Sequence, residues 1–141
     1  YLALNAEWHD GDLIDFWMEM PVEVIWAHPA VRYLEGRVAL QRGPLVYCLE
    51  GVDHGGILLD QIAVNPQDIQ SGMFLPVHSG DVYPGMIFLA GRGRRILDKG
   101  WGNQLYQNQK PVEEEVNIMA IPYFAWDHRS PGEMRIWLRA V

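Results

Sequence analysis

The chain of 141 residues carries 18 Asp and Glu against 11 Lys and Arg, a formal charge of −7, and 49% of its residues are hydrophobic. That length supports one domain with one core, burying roughly 70% of the surface its unfolded form would expose. The acidic balance argues against nucleic acid as a partner, since phosphates demand clustered Lys and Arg; no apolar run approaches the ~20 residues that span a bilayer; and a single cysteine argues against an intrachain disulfide framework while leaving the compartment open.

In chain order, Leu2, Leu4 and Ala6 share one parity and His9-Asp10-Gly11-Asp12 supplies turn residues, so Tyr1 to Leu13 reads as a hairpin. The chain starts inside this strand-like stretch without an initiator Met, which reads as a piece cut from a longer protein. Ile14, Phe16, Met18 and Met20 then alternate with Asp15, Trp17 and Glu19, the period of a half-buried antiparallel strand ending at Pro21. Val22, Val24 and Trp26 repeat the alternation up to His28-Pro29.

The stretch Gly36 to Glu50 organises the rest. Two apolar runs, Val38 to Leu40 and Leu45 to Leu49, flank Gly43-Pro44, which cannot continue a regular ladder, so the segment predicts strand, corner, strand. The second run is apolar on both parities and is expected mid-sheet, buried on both faces. Beyond it, Ile57 to Val64, Met73 to Val77, Met86 to Ala90, Val116 to Ala120 and Met134 to Leu138 read as strands, while Asn65-Pro66 reads as a stop and Arg92 to Arg95 as a solvated basic turn. Glu113-Glu114-Glu115 leaves a short helix start open. About ten short strands punctuated by nine prolines and fourteen glycines, with no convincing helical period, predict one all-β domain over residues 1–141, an antiparallel two-sheet β-sandwich of jelly-roll type. Its expected core is Ile14, Phe16, Met18, Val38, Leu40, Leu45, Tyr47, Leu49, Ile118, Ile136 and Leu138.

The chemistry is sparse. His9, His28, His54, His78 and His128 never fall at i,i+2 or i,i+4, so each reads as a loop residue rather than a metal ligand. Cys48 lies in the most apolar strand, where a thiol behaves as a small hydrophobe. Glu19, Glu50, Asp53 and Asp127 are candidate acids by residue type alone. Trp17 and Trp137 sit on the polar parity of their strands, where an indole can stack on a sugar ring or another domain; the simpler reading buries them under loops or against neighbouring protein.

Four segments carry a resemblance: Trp8-His9-Asp10-Gly11-Asp12; Met20-Pro21 to His28-Pro29; Gly36 to Glu50, with Arg42-Gly43-Pro44-Leu45-Val46-Tyr47 at its heart; and Ala120-Ile121-Pro122-Tyr123 through Trp126, Arg129 and Met134 to Trp137. Together they resemble the β-sandwich region that follows the catalytic barrel in glycoside hydrolase family 127, the β-L-arabinofuranosidases. The resemblance implies a helical (α/α)6 barrel elsewhere in the same polypeptide, holding a zinc-bound cysteine nucleophile and a glutamate. With no second cysteine and no barrel helices, no catalytic, cofactor or metal residue carries over to this chain, and Glu23 and His128 depart from the family pattern. The implied function is a non-catalytic accessory domain, inactive by itself, that supports the barrel or oligomerisation. Its expected partners are that barrel and a second copy of the chain, with no nucleic acid and no membrane; zinc is expected in the barrel and no cofactor here. The alternative is a carbohydrate-binding module that stacks sugars on exposed aromatics.

Overall fold

The computed structural model describes residues 2–81 and 83–141. Gly43 and Pro44 form the corner between β2 (Arg37–Arg42) and β3 (Leu45–Glu50), which pair antiparallel with Leu40 opposite Tyr47. Gly43 takes φ +56°, the left-handed region that a side chain disfavours, and a Cβ there would come 2.7 Å from the Met20 methyl. One edge of β2 is lined from Val38 to Arg42 by β1 (Val22–Trp26), with Val22 opposite Arg42 and Trp26 opposite Val38. The other edge is shared: β3 holds residues 40–42, then diverges, and β9 (Leu138–Ala140) takes over at Arg37 and Val38.

From β3 the pairing continues to β7 (Val112–Pro122), β6 (Ile87–Leu97) and β4 (Ile62–Val64), and β4 meets β9 in parallel. The nine-stranded sheet therefore returns to β2, closing a ring of β2, β3, β7, β6, β4 and β9. The edge strands β5 (Leu75–His78) and β8 (Met134–Arg135) attach to β6 and β3. The domain is thus mostly β, as expected, but the sheet is mixed rather than wholly antiparallel.

Along β3, Tyr47 and Leu49 enter one apolar cluster with Val38, Leu40, Leu89 and Ile118. Cys48, on the opposite parity, enters a second with Phe88, Ile121 and Ala125. The expectation of a strand buried on both faces holds from Tyr47 onward, and Val38, Leu40, Ile118 and Leu138 are core as expected. Leu45 and Ile136 are only partly buried at the core's edge.

Other expectations are corrected, and the alternative left open at Glu113-Glu114-Glu115 is resolved. Ile14, Phe16 and Met18 are 56%, 63% and 62% exposed and lie in no strand, because the alternation of residues 14–20 meets no partner strand among the described residues; Tyr1, assigned to the opening hairpin, lies outside those residues. Arg92 to Arg95 is the middle of β6, not a turn. A Cβ at Gly93 would lie 2.6 Å from the Ala63 carbonyl oxygen and inside the Ile118 side chain, so glycine there permits close strand approach rather than a bend. Glu113 to Glu115 begin β7, where Arg92, Arg94 and Arg95 pair with Glu115, Glu113 and Glu114 across the ladder. Asn65-Pro66 starts α1 (Pro66–Gln70): the Asn65 side chain accepts the Gln67 N–H at 3.0 Å, with proline at the first helical position. Finally, Met134 to Leu138 is not one strand, since β8 pairs with β3 and β9 with β2 and β4, so the chain crosses between them at Ile136 and Trp137.

Candidate functional site

The densest polar arrangement lies where β3 ends. Glu50, its last residue, is 4% exposed, and the following 3-10 turn, Gly51–His54, presents Asp53 beside it. Arg129 arrives from the loop after another 3-10 turn, Tyr123–Ala125. Its Nη1 and Nη2 donate to the two Asp53 carboxylate oxygens at 2.6 Å each, and Nη2 also donates to Glu50 Oε2. The guanidinium carbon lies 5.7 Å from the centre of the Tyr83 ring, whose hydroxyl donates to the Ala125 carbonyl at 3.0 Å. Glu50 Oε1 accepts the Asp127 N–H at 2.9 Å. Asp127 is a non-glycine residue with φ in the left-handed region (+64°), a conformation Asp tolerates.

The hydrogen bonds Arg129 donates to Asp53 are the largest cause holding it in its charged form; burial works against them and Glu50 adds to them. Cys48, two residues before Glu50, has its thiol pushed up to about 12 by burial first and then by the negative charges of Glu50 and Asp53. Such a thiol is a poor nucleophile. His54 is buried with Nδ1 2.7 Å from the Glu50 carbonyl oxygen, while Nε2 takes the Met119 N–H at 3.4 Å. These partners assign the neutral ring with its proton on Nδ1. His54 is therefore a packed structural residue in the 3-10 turn, not a loop histidine.

Three acids named from residue type, Glu50, Asp53 and Asp127, do come together, but not across a cleft. The carboxylates of Glu50 and Asp53 are both committed to Arg129, which leaves neither free to exchange a proton with a substrate. Glu19 stays apart on an exposed stretch. The other histidines make separate local contacts: His9 with Asp12, His28 with the Ala30 N–H, His128 with the Ala125 carbonyl, and His78 ends β5. Among the described residues no group of three or more His, Cys, Asp or Glu is placed to hold a metal ion. A zinc–thiolate centre does not fit this donor set, whose one thiol is buried in the second apolar cluster.

Trp17 and Trp137 are not brought together. Trp17 is 88% exposed in the extended N-terminal segment. Trp137 is half-buried and lines a depression of about 330 Å³ with Tyr33, Arg37 and Arg135; its carbonyl accepts from Arg37 Nη1 at 3.2 Å. Arg129 was legible as one residue of the terminal segment, yet its pairing with Asp53 spans 76 positions and leaves no local signal.

The described residues thus form a mostly β fold in which the buried Glu50 and the partly buried Asp53 are both paired with Arg129. The sequence profile of the "Glycoside hydrolase family 127 C-terminal domain" matches residues 22–139, and the chain belongs to that family. A curated relative, the non-reducing end β-L-arabinofuranosidase of Bifidobacterium longum subsp. longum, is 29% identical over 99% of this chain and 21% of its own length. The crystal structure of a family 127 β-L-arabinofuranosidase from Geobacillus stearothermophilus matches with TM-score 0.76 and 38% identity, over 86% of this chain and 18% of that one. A structure described as a glycoside hydrolase matches with TM-score 0.74 and 32% identity, over 88% of this chain and 20% of that one. The chain thus spans about a fifth of the length of the proteins it matches.

Proposed function

We propose that this chain is the non-catalytic accessory β-domain of a β-L-arabinofuranosidase-like glycoside hydrolase, supporting its catalytic barrel or its oligomerisation. The observation that carries the reading is the match to the family's C-terminal domain over nearly all of the folded part of the chain. The commitment of Glu50 and Asp53 to Arg129 adds support, because it leaves the best-placed acids without a catalytic role. The finer architecture under this reading is a jelly-roll-like sandwich. The division of one edge of β2 between β3 and β9 supports it, because a strand shared in this way can turn from one layer of a sandwich to the other. The comparisons lend no support to a carbohydrate-binding module.

An assay on an aryl β-L-arabinofuranoside tests the reading. The 141-residue chain turns over no substrate, and the whole polypeptide of its reading frame loses activity or its native oligomeric state when residues 22–141 are removed. Turnover by the chain alone, abolished by Cys48→Ser, would overturn it, as would an unchanged truncated enzyme.

A further inference from the structure

Asp10-Gly11 is the only Asp-Gly pair in the chain, and no Asn-Gly pair occurs, so every other Asp is followed by a residue whose side chain crowds its amide. The pair forms the centre of a four-residue turn. Asp12 N–H donates to the His9 carbonyl at 3.1 Å, Gly11 sits at φ +91° and Asp10 keeps a negative φ, the φ pattern of a type II turn with glycine third. Residues 9–12 are all exposed, and a Cβ built at Gly11 would meet nothing within 4 Å. The two carboxylates of the turn differ. Asp12 Oδ2 accepts the His9 N–H at 2.7 Å and faces the His9 ring, whereas among the described residues the Asp10 carboxylate enters no hydrogen bond or ion pair. Nor does the Gly11 N–H.

We propose that Asp10-Gly11 is a site of spontaneous covalent modification, at which Asp10 converts through a cyclic imide to isoaspartate. The Gly11 amide nitrogen attacks the side-chain carboxyl carbon Cγ of Asp10; a C–N bond forms, the C–OH bond breaks, and water leaves carrying the amide proton. Water then adds back to the five-membered imide at one of its two carbonyls. Breaking the new Cγ–N bond restores Asp10, whereas breaking the original peptide C–N bond routes the backbone through Cγ and frees the α-carboxyl. One water is released and one consumed, so no oxidant, enzyme or cofactor is needed. Ring closure requires the Asp10–Gly11 peptide plane to swing toward the side chain. The bond that closes the turn joins its first and fourth residues, so the central plane turns without breaking it, and glycine offers no Cβ to resist. The uncommitted Asp10 carboxylate gives up no partner. The product lengthens the turn by one backbone atom.

The test incubates the folded protein near neutral pH in water enriched in heavy oxygen, both as the 141-residue chain and within the whole polypeptide of its reading frame. Peptide mapping with electron-transfer fragmentation finds isoaspartate at position 10, carrying heavy oxygen, before any other position converts. Its rate lies within ~10-fold of that of the same protein unfolded in urea, because the turn does not hold the reacting atoms apart. Gly11→Ala slows the conversion severalfold, and Asp10→Glu, whose ring would need a sixth member, abolishes it. No isoaspartate at position 10 once the unfolded protein has accumulated it, or earlier conversion at another Asp, overturns the proposal. Conversion in the chain alone but not in the whole polypeptide shows the turn covered there and overturns it too. None of these outcomes touches the accessory-domain reading.

Discussion

Arg129 grips Asp53 through two parallel N–H···O bonds of 2.6 Å, joining the turn after β3 to a loop 76 positions later in the chain. The same guanidinium reaches the buried Glu50, whose other oxygen holds the Asp127 amide, so one side chain fixes both the end of β3 and the loop that leads to β8. Gly51 N–H, donating to the Glu133 carbonyl at 2.8 Å, ties the same two segments by the backbone.

Arg129→Met tests the weight of this clamp. Removing the guanidinium leaves the Glu50 carboxylate buried without its cation, a change that costs about 3–5 kcal/mol for a buried pair. Because a fifth of the Arg129 side chain is exposed, the loss is expected at the lower end of that range. Urea unfolding measures it, and Arg129→Lys, which keeps the charge but not the bidentate geometry, falls between the two. A loss under ~1 kcal/mol would mean that water replaces the guanidinium.

Leu49 and Leu45 separate core from rim on one strand. Leu49 is fully buried in the first apolar cluster, whereas Leu45 only packs against it. Leu49→Ala is expected to cost about 2–5 kcal/mol and Leu45→Ala clearly less. Equal losses in denaturant melts would show that the start of β3 is packed as tightly as its middle.

Gly93→Ala should destabilise by about 1–3 kcal/mol through overpacking. The Ile118 side chain can rotate away from the new methyl, but the Ala63 carbonyl oxygen belongs to β4 and moves only with its strand. Thermal melts check the size, and Gly93→Ala combined with Ile118→Val recovers only part of it. Full recovery would place the conflict in the side chain alone.

How much of this was legible in the sequence follows from where each contact comes from. The β2–β3 corner is local: Gly43-Pro44 between two apolar runs is enough to write it. The helix at Pro66–Gln70 had its signal in Asn65-Pro66, an N-cap followed by proline, but five residues give no helical period to see. In β6 the residues that usually punctuate a turn, Gly91 to Arg94, are strand residues because of Phe74, Ala63, Ile118 and the acids of β7, all distant in sequence. The alternation of Ile14 to Met20 is a correct strand pattern that has no partner among the described residues. For Arg129, Glu50 and Asp53 the sequence supplies residue types and the fold supplies the meeting, so the candidate site was visible only as parts.

Cys48 gives the chain a pH dependence whose sign can be worked out. In the unfolded chain its thiol loses a proton around its ordinary value of 9.0, whereas in the folded domain burial, reinforced by the charges of Glu50 and Asp53, keeps it protonated up to about 12. A folded pKa above the unfolded one means a contribution to stability that is fully present below about pH 9, falls as the unfolded state ionises, and is gone above about pH 12. Tyr47, raised from 10.0 mainly by burial, acts in the same direction at higher pH, so the wild-type slope alone does not isolate the thiol. Urea melts of wild type and Cys48→Ala at about pH 8, 9.5 and 11 do: the variant is expected to lose less stability than wild type across that range, the difference being the thiol's share. Alkylation by iodoacetamide at about pH 8 gives an independent reading, with the native thiol inert and the urea-unfolded thiol modified quickly. Native-state modification at the unfolded rate would mean that Cys48 reaches solvent and that the second apolar cluster opens around it.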